Sequence, residues 1–187
     1  MPYPGQITRD SIIQQAHALV EADGADALSL GKLAKALGVK APSLYRHVGN
    51  KDQLLQAVNV RTLEQLFAQI NDTLSRQDAS DANTKLLAIA KAYRQFALAH
   101  AHLYHLFSTS QQGSGRPDEA LLVQLILPIE TLMSELSGEA KSLTALRGLL
   151  AQIHGFILLE LNQQLQRGGD LNDVFEETIR AYLRGWS

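Results

Sequence analysis

Cysteine is absent from the 187 residues. Its absence excludes a disulfide framework, a thiolate nucleophile and a cysteine-based zinc finger, and it is compatible with a reducing compartment. A long hydrophobic run is also lacking. The most apolar stretch, Leu149 to Leu161, is interrupted by Gln152, His154 and Glu160; it is too short and too polar to span a bilayer and reads as a buried helix. The first ten residues contain no basic segment leading into an apolar one, so no secretory signal is expected and the protein is placed in the cytoplasm. Period-two alternation is missing throughout, which leaves helix as the regular structure. An excess of positive charge is missing too. The net charge of −2 by itself argues against a nucleic-acid partner.

The chain does hold enough apolar residues, 45% against 19% charged, for a globular body. Its charge is unevenly placed. Up to Arg61 there are seven Lys or Arg against five acids; beyond it there are ten against fourteen. Lys32, Lys35, Lys40, Arg46 and Lys51 follow one another with no acid until Asp52. Such a stripe is either an electrostatic footprint for phosphate or a solvated polar face, and charge alone leaves both open.

Helical periodicity predicts about nine helices and an all-α fold. Thr8 is placed to cap a first helix running to about Asp23, with Ile12, Ile13, Ala16, Leu19 and Val20 on its apolar face. Ser29 caps a second, carrying Leu30, Leu33, Ala34 and Leu37, which Gly38 ends. A short third helix fits 41–48, with Pro42 in its first turn. Asn50 caps a fourth of about 25 residues, ~37 Å long, with Gln53 in capping-box position. Further helices are expected at 84–100, 101–108, 118–137, 142–166 and 171–185. Ser75 to Asn83 and Gln111 to Pro117 read as loops. Three short helices bury too little core to stand alone, so the long helix is expected to tie them to the rest. The predicted division is a DNA-binding domain at 1–55 and a helical body at 56–187.

The spacing from Ser29 to Val48 is that of a helix-turn-helix with glycine in the turn. The first helix would brace the second, which would enter the major groove. Leu33, Ala34, Leu37, Val39, Leu44 and Val48 would join the pair. Lys40, Ala41, Pro42, Ser43, Tyr45, Arg46 and His47 would then face DNA, small near the helix start and polar or aromatic further on. An ordinary antiparallel helix pair has the same spacing, and spacing alone leaves that alternative open.

The order Ala27-Leu-Ser-Leu-Gly-Lys-Leu-Ala-Lys-Ala-Leu-Gly-Val39, then Ala41-Pro-Ser-Leu-Tyr-Arg-His47, then Asn50-Lys-Asp-Gln-Leu-Leu55 is far more specific. Over Thr8 to Leu55 it resembles the N-terminal domain of the tetracycline-repressor (TetR-like) family of bacterial transcriptional regulators. The resemblance implies that 41–47 is the recognition helix. It implies that Tyr45 meets phosphate and thymine methyl groups, that Lys51 clamps a backbone phosphate, and that Ser29 touches phosphate. Two positions depart from the pattern. Lys40 stands where Ser or Thr is usual, exchanging a side-chain cap for a cation that can reach phosphate or a guanine edge. Val48 stands where an aromatic commonly follows the histidine.

The segment Tyr93 to Phe107 and the pair His154-Gly155 are similar, more weakly, to one C-terminal class of the same family, with Ala101 in place of a usual proline. The resemblance implies a ligand-responsive regulator: a homodimer through its last two helices, a small-molecule pocket, and release from a palindromic operator, with repression as the usual outcome. The residues support dimerisation as well. Leu171, Val174, Phe175, Thr178, Ile179, Tyr182 and Leu183 form a helical stripe, and 142–166 is apolar on nearly every side. Leu150, Ile157, Leu161, Phe175, Ile179 and Tyr182 are assigned to the interface, although a core role fits each as well.

Tyr93, Phe96, His100, Gln152 and His154 are assigned to an effector site, with an uncharged or weakly polar organic molecule expected. A structural role remains open for His100 and His154, since a buried imidazole needs a partner in either case. No metal or other cofactor is expected: no His-Glu-x-x-His spacing exists, and His102 and His105 read as solvated or core residues. Glu160, alone in an apolar helix, would pair with an arginine or meet a ligand. No phosphate loop or nucleophile motif supports an enzyme. The rival readings are a helical interaction module without DNA binding and a metal-dependent enzyme using histidines at 100–105.

Overall fold

The computed structural model describes residues 7–77, 81–110 and 117–186, without the side chain of Tyr45. The described residues form nine α-helices, one 3-10 turn and no strand. The helices are α1 (Arg9–Asp23), α2 (Leu30–Ala36), α3 (Ala41–Val48), α4 (Lys51–Ser75), α5 (Ala82–Ala99), α6 (Ala101–Thr109), α7 (Glu119–Ser137), α8 (Ser142–Leu161) and α9 (Leu171–Arg184); the 3-10 turn is Glu139–Lys141. The expected loops at 75–83 and 111–117 fall partly outside the described residues, at 78–80 and 111–116. α8 stops five residues before the expected 166. Its apolar positions end at Leu161, Asn162 folds its amide back onto the Leu158 carbonyl at 2.8 Å, and Gln163 takes φ 55°.

Local signals account for the helix starts. Thr8 and Ser11 exchange side-chain and backbone bonds, both 3.1 Å, in a capping box. Ser29 Oγ accepts from the Lys32 amide at 3.1 Å, and Asn50 Oδ1 accepts from the Gln53 amide at 2.8 Å.

The chain packs as two compact units. The first comprises 1–65 and 100–118, the second 66–99 and 119–187. The division expected at residues 55 and 56 does not coincide with them, because α6 joins the first unit. Its Leu103 and Leu106 are buried in the same core as Ile12, Ala16 and Val20 of α1, Leu33 of α2, Leu44 of α3, and Leu54 and Val58 of α4. α1 has more apolar surface than two short helices can cover, and a local pattern cannot reveal that a helix 90 residues away supplies the rest.

His17 lies within this unit, 6% exposed, and its Nε2 has no hydrogen-bond partner. Burial lowers its pKa below 6.5; Glu21 and a bond with Gln65 oppose the shift, while Arg61 and His100 add to it. A lowered histidine pKa means that the unfolded chain binds the proton more readily. Stability from His17 is therefore fully present above about pH 6.5 and is lost as the pH falls through the folded-state value. Thermal midpoints from pH 7.5 down to pH 5 should fall less steeply for His17→Leu than for the parent; equal slopes would show that His17 does not govern acid sensitivity.

In the second unit α5 packs against α7, α8 and α9, and α8 against α7 and α9. Leu86, Ala90, Phe96, Met133, Leu149, Ile153, Ile157, Phe175 and Ile179 are buried there. Three residues assigned from sequence to a subunit interface are corrected by this packing: Ile157, Phe175 and Ile179 are 0%, 1% and 0% exposed within the single chain. The i, i+4 stripe of α9 is its own core seam. Leu150, Leu161 and Tyr182 are half-buried. The Tyr182 hydroxyl donates to the Ala145 carbonyl at 2.7 Å, and a Cβ at position 148 would lie 2.1 Å from that hydroxyl, so Gly148 permits the close approach of α9 to α8. By length and composition alone α7 and 139–161 are apolar enough to cross a membrane, a longer span than the 149–161 considered from sequence. Here they pack on one another.

Candidate functional site

The turn between α2 and α3 is closed by backbone bonds from Gly38 to Lys35 (3.2 Å) and from Val39 to Ala34 (2.9 Å), with Gly38 at φ 68°, a conformation that glycine adopts without strain. Leu33, Ala34, Leu44 and Val48 are buried between the helices. This burial leaves Lys40, Pro42 and Arg46 exposed, with Ala41, Ser43 and His47 half-exposed beside them. Lys51 stands exposed at the first position of α4, three residues after α3 ends, and Ser29 is the α2 cap. The candidate DNA contacts therefore fall on α3, on the turn before it and at the starts of α2 and α4, all within the first unit. The Tyr45 side chain, also assigned to them, lies outside the described residues. Lys32 does not join them as a free cation: its Nζ is 2.7 Å from the Asp23 carboxylate, whose pKa it lowers through that bond and its charge. Among the described residues Lys40, Arg46 and Lys51 have no carboxylate partner, so the face presents cations and no paired acid.

The residues assigned to an effector site are only partly brought together. Tyr93 of α5 and His154 of α8 meet, Oη to Nε2 at 3.1 Å and ring to ring edge-on at 5.3 Å. Burial holds the His154 pKa below 6.5, so the imidazole is neutral at physiological pH. Phe96 is buried at 4% exposure. Gln152 is half-buried with its Oε1 unpartnered, but two residues from His154 is about 200° around a helix, so the two do not share a face. His100 belongs to the first unit, whereas Tyr93 and His154 belong to the second. It precedes α6, and its Nδ1 meets the Glu21 carboxylate of α1. His102 Nδ1 donates to the Glu21 carbonyl at 2.9 Å. Both histidines thus fasten α6 to α1 within the first unit. No three His, Cys, Asp or Glu side chains among the described residues converge as metal ligands.

Glu160 does pair with an arginine, and the partner was not legible in sequence. Arg94 of α5, 7% exposed, gives Nε and Nη2 to the two Glu160 oxygens at 2.7 and 2.6 Å. Its Nη1 donates to Asn172 Oδ1 of α9 at 2.9 Å, and its guanidinium lies 5.6 and 5.2 Å from the Phe156 and Phe175 rings. The signal in the sequence was an arginine between Ala92 and Phe96 on an otherwise apolar face. The only strongly buried cation of the described residues is thereby neutralised, which leaves neutral hydrogen-bonding groups to meet a ligand.

Residues 12–58 match the profile of bacterial regulatory proteins of the tetR family, and 86–182 match that of the tetracyclin repressor-like C-terminal domain. The chain is 31% identical over 185 residues to an uncharacterised HTH-type transcriptional regulator of Mycobacterium tuberculosis, covering 97% of this chain and 83% of that protein. It is 26% identical over 181 residues to the HTH-type regulator YobS of Bacillus subtilis, covering 96% and 92%. Among solved structures, a protein of unknown function from Rhodococcus sp. RHA1 superposes with a TM-score of 0.77 at 24% identity, covering 100% and 98% of the two chains. A TetR variant from Acinetobacter baumannii AYE in complex with minocycline superposes with a TM-score of 0.71 at 20% identity, covering 96% of each.

Proposed function

Since this chain belongs to the TetR family and is a transcriptional regulator with a helix-turn-helix DNA-binding domain and a C-terminal ligand-binding domain, we propose that it is a cytoplasmic homodimeric repressor that an organic effector releases from a palindromic operator. The domain assignment proposed is 1–55 for DNA and 56–187 for effector and dimer, with α6 packed on the former. The observation that carries the reading is α3 and its two ends: Arg46 on the helix, Lys40 just before it and Lys51 at the start of α4 stand exposed with no carboxylate partner among the described residues, while the other face of α3 is locked to α2. Two such helices in a dimer must stand about 34–36 Å apart, or a suitable multiple, to enter successive major grooves.

Dimerisation is assigned to the outward side of α8 and α9. Leu143 and Leu159 are 45% and 41% exposed, and Arg147, Ala151 and Gly155 lie between them at steps of four. A Cβ at Gly155 would meet nothing within 4 Å, so a second helix has room to approach. Val174 of α9 is also exposed, at 40%. For the effector, the neutral Tyr93–His154 pair in an apolar surround favours an uncharged or weakly polar molecule, oriented by one or two hydrogen bonds. We read the chain as non-enzymatic.

The test is operator binding as a function of salt. Lys51→Ala should weaken every operator sequence alike and flatten the slope of log affinity against log salt by about 0.9, because one phosphate is no longer neutralised. An unchanged slope at unchanged affinity would take Lys51 out of the interface. Binding that never exceeds the affinity for random duplex would leave the interaction-module reading standing.

A further inference from the structure

The first unit holds an open groove of about 660 Å³ that neither the candidate DNA contacts nor the effector site explains. Its walls are α1, the end of α3 and the middle of α4. Ile13, Val48, Ala57 and Val60 supply an apolar floor, and Arg9, Arg46 and Arg61 stand around it. These guanidinium groups are not equivalent. Arg61 Nη1 faces the Asp10 carboxylate at 3.4 Å. Arg9 and Arg46 are exposed and have neither an ion-pair nor a hydrogen-bond partner among the described residues. Glu64 is the remaining acid of the groove, and it makes no ion pair with either arginine and has no partner among the described residues.

A volume within the ordinary range for small-molecule sites, an aliphatic floor and two unpaired guanidinium groups define one ligand chemistry. We propose that this groove binds an amphipathic organic anion, with its carboxylate or phosphate on Arg9 and Arg46 and its hydrocarbon part on Ile13, Ala57 and Val60. The inference rests on the reading of α3 as the DNA-contacting helix. Arg46 and His47 line the groove and are also candidate DNA contacts, so an anion held here and a DNA phosphate compete for the same cation. Occupancy then releases DNA directly, by mass action on the first unit. A DNA backbone alone does not account for the floor, since a phosphate has no use for four aliphatic side chains.

Octanoate is the probe, with acetate at equal ionic strength and octanol as controls for head group and tail. Calorimetry on the full-length protein without DNA should show saturable octanoate binding that neither control reproduces. Ala57→Trp fills the floor, and Arg9→Ala removes one guanidinium. Each should weaken octanoate binding, and neither residue is among the assigned DNA contacts. At an octanoate concentration ten times its dissociation constant, the operator dissociation constant of the dimeric parent should rise about tenfold for each of its two grooves, or roughly a hundredfold, and hardly at all for Ala57→Trp. Inorganic phosphate should compete far more weakly than octanoate. The proposal is overturned if octanoate gives no binding heat. It is overturned equally if both folded variants bind octanoate as the parent does, which would place the acid in the second unit, or if octanoate binds without weakening operator affinity. A parent that binds octanoate in the groove but never binds an operator would refute the DNA reading and leave the site itself in place.

Discussion

Glu160→Ala should destabilise the protein by about 3–5 kcal/mol, the cost of leaving one member of a buried ion pair without its partner. The side chains of Arg94 and Glu160 are 8% and 13% exposed, and both guanidinium–carboxylate bonds are short. Removing the carboxylate strands the cation between Phe156 and Phe175, with Asn172 as its remaining described hydrogen-bond acceptor. Chemical denaturation should show a lower midpoint with an unchanged denaturant slope. The double variant Arg94→Met with Glu160→Leu should recover most of the stability, because an apolar pair of similar volume has no charge to desolvate. If single and double variants were equally unstable, impaired packing rather than the orphaned charge would be the cause.

Paired substitution of Leu143 and Leu159 by Glu should convert the proposed dimer to a folded monomer. Both side chains are exposed in the single chain, so the new carboxylates are solvated in the monomer and desolvated only on association. Sedimentation velocity should report half the parent mass with helical circular dichroism retained. Phe175→Asp should behave in the opposite way. Phe175 is 1% exposed, packed edge-on against Phe156 and beneath Arg94, so the substitution should cost several kcal/mol of stability before any question of assembly arises. A Leu143/Leu159 variant that remains fully dimeric would move the interface elsewhere, and the apolar residues of α7 that stand exposed, Val123 and Leu127, would be the next to test.

Loss of effector response or of operator affinity in such a monomer would follow from the geometry of paired half-sites rather than from damage to α3. The first unit carries its own core, from Ile12 to Leu106. Residual binding to a single half-site at low salt is therefore expected, with roughly half the salt slope of the dimer.

Every helix of the described residues, and the helix-turn-helix within them, was already written in the amino-acid order. Thr8, Ser29 and Asn50 are caps, Gly38 and Gly49 are breaks, and Leu33, Leu44 and Val48 recur at helical spacing. These are interactions between residues three or four apart, so their signal lies in a short window. The outward side of α3, proposed to meet DNA, was legible for the same reason: once Leu44 and Val48 turn inward, the outward residues of an eight-residue helix follow. Packing alone settled the relations between residues far apart in the chain. The burial of Leu103 beside Ile12, the docking of His100 and His102 on Glu21, and the closure of Arg94 on Glu160 span between 66 and 91 positions. An apolar stripe such as Phe175 to Leu183 carries the same pattern whether it covers its own core or a second subunit, because burial rewards removal of apolar area from water and is indifferent to what removes it. The fold makes that choice, and it placed this stripe inside and left Leu143 and Leu159 at the surface.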